Sequence, residues 1–122
     1  KIIAYSPEDL QLISACISEG KVKIGEIKYL KKNKIFLLFV DRIVKETDNN
    51  KGRVYSVVKF EYILSSKSKN INQKNADVIL ELVAIDLFKK DDNYEINLLF
   101  SNNGFITLTA EIIDATLEDQ KN

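Results

Sequence analysis

The sequence predicts an α+β fold, mainly β: an antiparallel meander of about six strands, strongly curved or closed into a partial barrel, with one N-terminal helix. Three observations carry this reading. Tyr94 to Ile112 alternates apolar and polar residues on both sides of Asn102-Asn103-Gly104, the pattern of a long β-hairpin. Ser6-Pro7-Glu8-Asp9 is a dense helix start. Between them lie apolar, β-branched and aromatic runs separated by short turn-forming stretches.

In the helix, Ser6 can accept from the open amides, Pro7 suits the first helical position, and Glu8 and Asp9 favour the positive end of the dipole. Tyr5 and Leu10 stand where a hydrophobic staple would close. Leu10, Ile13 and Ile17, flanked by Leu12 and Cys16, form one apolar face, and Gly20 is the expected terminator. Val22 to Leu30 changes phase, with Val22 and Ile24 on one parity and Ile27 and Tyr29 on the other, so a bulge is expected at Gly25-Glu26. Ile35 to Val44 opens with six consecutive apolar residues, which implies burial on both faces. Arg53 to Leu64 places Val54, Val58, Phe60, Tyr62 and Leu64 on one face, interrupted by Ser56. Ser65 to Asp77 is rich in Ser, Lys and Asn and reads as a mobile loop. Val78 to Phe88 is again apolar on both parities, and Lys90-Asp91-Asp92-Asn93 turns it into the final hairpin. A three-residue loop with Gly104 left-handed would pair Phe100 with Ile106, Leu98 with Leu108, Ile96 with Ala110 and Tyr94 with Ile112, keeping one face apolar throughout. After Ile112 the pattern shifts to Ile113, Ala115 and Leu117, which calls for a second bulge or a short terminal element.

At 122 residues the chain reads as a single domain, 1–122, able to bury roughly two thirds of its unfolded surface. Lys+Arg and Asp+Glu stand at 18 each, so no global field points to nucleic acid, membrane or an acidic partner. Lysines at 21, 23, 28, 31, 32 and 34 surround Tyr29 and Phe36, as in some single-strand binders, but neighbouring carboxylates and the neutral total dilute them, and no nucleic-acid partner is expected. No apolar run approaches the roughly 18 residues of a membrane span. With one cysteine and no signal-peptide core, a cytoplasmic location is expected.

Asp9-Leu10, Ser14-Ala15, Gly25 to Leu30, the Phe36–Arg42 run, Leu82-Val83-Ala84-Ile85 and the close from Ile112 to Asp119 resemble a family of short alphaproteobacterial proteins. The likeness spans nearly the whole chain, and that family is classed only as a domain of unknown function. Its members resemble this chain in carrying one Arg after the second strand and another at the start of the third, which here are Arg42 and Arg53. Asp41 stands where the family usually has Asn, and Asn102-Asn103-Gly104 replaces a Gly-rich turn. The resemblance implies a bacterial cytosolic setting and offers no family activity to carry over.

Absences narrow the chemistry. The chain has no His, the commonest general base and metal ligand, and lacks phosphate-loop and dinucleotide fingerprints. No cofactor or metal is expected. Cys16 lies on an apolar helix face and reads as core rather than nucleophile. Arg42 and Arg53 are the only arginines; a surface or rim ion pair is the ordinary expectation for each, with a site that uses the planar bidentate fork as the alternative. Pairing Ile43 with Val54 would bring Asp41 opposite Ser56, so that Arg42, Arg53, Asp41 and Ser56 form one polar site. Leu99 and Phe105, on the polar face of the hairpin, are candidate interface residues. The expected function is therefore a non-enzymatic interaction module that binds a protein partner or itself through its sheet. The alternative is a small anionic-ligand-binding protein or weak enzyme built around Arg42 and Arg53.

Overall fold

The structure is a computed structural model that describes residues 1–47 and 50–120. Its elements are β1 (Ile2–Ala4), α1 (Pro7–Ile17), β2 (Lys21–Lys23), β3 (Ile27–Leu30), β4 (Ile35–Thr47), β5 (Asn50–Phe60), β6 (Ile63–Lys69), β7 (Ile79–Lys90), β8 (Asn93–Phe100), β9 (Phe105–Ala110) and β10 (Ala115–Asp119). All pairings are antiparallel, in the order β1-β10-β5-β4-β2-β7-β8-β9-β6, with β3 attached to β4. The fold is thus α+β and mainly β, and the sheet does not close into a barrel.

The sheet curls into a trough. Even-numbered residues of β4 and β5 (Phe36, Leu38, Val40, Val58, Phe60) point inward to meet Ile96, Leu98, Ile106 and Leu108 of β8 and β9 in one core. At the rim, the Ile63 amide donates to the Lys34 carbonyl at 2.9 Å, bringing the start of β6 back to the start of β4. Beyond that contact β3 and β6 do not pair, and the trough stays open between them.

The helix begins as expected: Ser6 accepts from the Asp9 amide at 3.2 Å, and the Asp9 carboxylate accepts from the Tyr5 amide at 3.3 Å. Leu10, Ile13 and Ile17 are buried against the inner sheet face, whereas Tyr5 is 67% exposed and closes no staple. The helix ends at Ile17, and the left-handed residue is Glu19 (φ 67°), not Gly20. Gly20 is needed for a close approach: a Cβ there would overlap Val40 Cγ1 and stand 2.8 Å from the Ile17 carbonyl oxygen. From that point the backbone clamps helix to sheet, since Leu82 N–H donates to Gly20 O and Glu19 N–H to Leu82 O, each at 2.8 Å.

Several boundaries differ from expectation. The phase change at Gly25-Glu26 is a 3-10 turn, Ile24–Glu26, which moves the chain from β2 to β3. The strand starting at Arg53 does not run to Leu64: it breaks at Tyr62 (φ 59°), and the chain turns the corner into β6. The front of the expected 65–77 loop is consequently strand, through Lys69, and a loop remains only beyond it. The final hairpin keeps its apolar face, with Leu98 and Leu108 fully buried. Its register is shifted by two, pairing Leu98 with Ile106, Ile96 with Leu108 and Tyr94 with Ala110. Asn102 (φ 63°) and Asn103 (φ 61°) supply the left-handed turn, while Gly104 is extended and packs on Ile71. The shift after Ile112 is resolved by β10.

Candidate functional site

The β4–β5 ladder decides where the polar residues go. It pairs Val40 with Ser56, Asp41 with Tyr55, Arg42 with Val54 and Ile43 with Arg53, one residue away from the pairing expected. A slip of one exchanges the faces of a strand. Asp41 therefore does not face Ser56, and the four predicted residues separate into two pairs on opposite sides of the sheet.

On the inner side, Ser56 is fully buried and completes a chain of hydrogen bonds with Arg42 and Asp119. The Ser56 hydroxyl accepts from Arg42 Nε at 3.0 Å and donates to Asp119 Oδ1 at 2.6 Å. Arg42 Nη2 donates to Asp119 Oδ1 at 2.9 Å and Oδ2 at 3.2 Å. The side chain of Arg42 is 16% exposed, that of Asp119 53%. The Ser56 hydrogen bond lowers the Asp119 pKa most, partial burial opposes it, and the Arg42 guanidinium lowers it further. Ser56 is thus held in a clasp between Arg42 and Asp119.

On the outer side, Arg53 Nε donates to Asp41 Oδ1 at 3.0 Å and Arg53 Nη2 to the Asp41 carbonyl at 3.0 Å, with both side chains near two-fifths exposed. Next to this pair the rings of Phe39 and Tyr55 stack with centroids 5.9 Å apart and planes 17° from parallel. Phe39 pairs with Val57, and Leu37 and Ile35 continue the apolar stripe along β4. These residues are half-buried by sideways contact; α1 packs on the concave side. A hollow of about 230 Å³ adjoins the stacked rings, bordered by Lys21, Lys23, Asp41 and Ile79. Lys21 pairs with Glu81 at 2.7 Å, so the rim carries charges of both signs. Leu99 and Phe105 are cross-strand partners on the outer face of the β7–β9 sheet, each half-buried, with Lys69 Nζ 5.9 Å from the Phe105 ring centre.

Asp119 and the Phe39–Tyr55 stack are the participants that sequence reasoning missed. Asp119 lies 63 positions from Ser56 and meets it only through the β5–β10 register, which no local pattern signals. Cys16 is half-buried and packs on the core. Among the described residues no three His, Cys, Asp or Glu side chains gather to hold a metal, and no helix is long and apolar enough to cross a membrane.

No curated protein and no solved structure matches this chain. A family model, described as Protein of unknown function (DUF2948), matches residues 1–122. The chain belongs to that family.

Proposed function

We infer that this chain is a non-enzymatic interaction module whose partner is a second copy of itself, bound through the convex face of β4 and β5. The observation that carries the reading is the outward stripe of Ile35, Leu37, Phe39, Tyr55 and Val57, half-buried by its own neighbours. Two further features support it. The formal net charge is +0, so like-charge repulsion does not oppose association of copies. The rim pairs Lys21 with Glu81 and Arg53 with Asp41, a mixed border that a two-fold axis can match to itself. The anionic-ligand reading is weaker, because Asp119 and Asp41 already neutralise the two guanidinium groups.

The test is light scattering across a concentration series to about 200 µM, a range that captures weak dimers. A concentration-dependent dimer is expected, reduced to monomer by Phe39→Glu and unchanged by Leu99→Lys. A chain monomeric throughout overturns self-association. Dimers lost with Leu99→Lys but kept with Phe39→Glu would move the interface to the Leu99–Phe105 face.

A further inference from the structure

The opening between β3 and β6 has a volume of about 400 Å³, within the range of small-molecule sites. Its origin is in the sequence of β6. Inward positions on β9, its neighbour, and on β8 beyond it are filled by Ile96, Leu98, Ile106 and Leu108. The inward positions of β6 opposite Leu108 and Ile106 are instead Ser66 and Ser68. Two short hydroxyl side chains thus stand where the pattern of the sheet calls for branched apolar ones, and the missing volume is the cleft.

The walls are chemically selective. None of the ten lining residues is Lys, Arg, Asp or Glu, although such residues make up 30% of the chain. Ile27, Tyr29 and Ile71, half-buried over the core residues Phe36 and Ile106, provide the accessible apolar wall, and Ser66, Ser68 and Gln73 a hydroxyl and amide side. Gln73 Nε2 donates to Ser68 Oγ at 3.1 Å, and Tyr29 donates to the Ile63 carbonyl at 3.0 Å, closing the end nearest Lys34. At the opposite end the Gly25 amide donates to the Ala76 carbonyl at 2.9 Å, where a Cβ on residue 25 would press on Ala76 at 3.0 Å. A charged ligand would find no counter-charge on these walls. We propose that the β3–β6 cleft binds an uncharged small molecule, its hydrocarbon or aromatic body on Ile27, Tyr29 and Ile71 and a hydroxyl or amide group on Ser66 and Ser68. The cleft is separate from the β4–β5 stripe, and the site does not depend on self-association.

Two dyes of similar aromatic body test the claim: uncharged N-phenyl-1-naphthylamine and anionic 8-anilinonaphthalene-1-sulfonate. The neutral dye is expected to saturate one site per chain and the anionic dye to bind at least about tenfold more weakly. Ser66→Leu and Ser68→Leu should each weaken the neutral dye at least about tenfold with an unchanged circular dichroism spectrum, while Phe39→Glu leaves it unchanged. Should either leucine variant misfold, amide NMR of the unaltered chain decides: dye-induced shifts centred on Gly25, Tyr29, Ser66 and Ser68 support the site. Equal affinity for the two dyes, folded leucine variants that still bind, shifts centred elsewhere, or no saturable binding would each overturn it.

Discussion

Arg42 and Arg53 offer a controlled comparison within one molecule. Each donates to an aspartate from the same pair of strands, yet one fork is enclosed and the other stands in water. Arg42, 16% exposed, is held by both Ser56 and Asp119; Arg53, 42% exposed, has a carboxylate and one backbone oxygen. Sequence distance also differs, since the Arg53–Asp41 pair closes within a hairpin whereas the Arg42 cluster ties β4 and β5 to β10. The contrast teaches that what an arginine contributes is set by the enclosure of its partners. Removing an enclosed charge that two partners hold costs more than a solvated ion pair gains.

Substitutions can break this contrast. Arg42→Ala should produce the largest loss, about 2 kcal/mol, below the value for a fully enclosed pair because Asp119 is half in water. Chemical denaturation would read it, and Arg53→Ala in the same assay should cost less than about 1 kcal/mol. Equal losses would abolish the distinction between the two sites. A middle-sized effect should appear with pH. The Asp119 carboxyl titrates lower in the folded than in the unfolded chain, so its stabilisation is complete above the unfolded carboxylate value of about 3.9 and fades as pH falls through the folded value. Asp119→Asn should therefore melt below the unaltered protein at pH 7 and converge with it in acid; a pH-independent gap would contradict the assignment. The smallest effect concerns Asp114, whose pKa is raised first by burial and then by Glu61. Its charged form is disfavoured in the fold, a cost relieved as pH falls through the raised value. Asp114→Asn should stabilise slightly at pH 7, solvent screening keeping the effect small, with the advantage shrinking in acid.

How far the sequence could be read depended on which strands alternate. In β8 and β9 the apolar row is on one parity only, so the buried face was legible. Registers differing by two preserve that face, however, and only the loop chooses between them; Asn102 and Asn103 took the left-handed positions expected of Gly104. In β4 the residues from Ile35 to Val40 are apolar at both parities, so alternation could not detect a slip of one. That slip is why Arg42 and Ser56 meet Asp119, and why Asp41 and Arg53 lie on the other side. The helix cap was legible because it is local: Ser6 and Asp9 are three residues apart. The clasp around Ser56 was not, since it needs strands from distant parts of the chain in register.

The pairing of β1 with β10, which sets Ile2 beside Leu117 and Ala4 beside Ala115, bears on how the molecule is made. During synthesis at the ribosome the first strand must wait for its neighbour until residues 115–119 have emerged, and β5 also keeps an open edge until then. Such non-local closure favours slow folding, in milliseconds to seconds, and lengthens the time a nascent chain presents sticky strands to its surroundings.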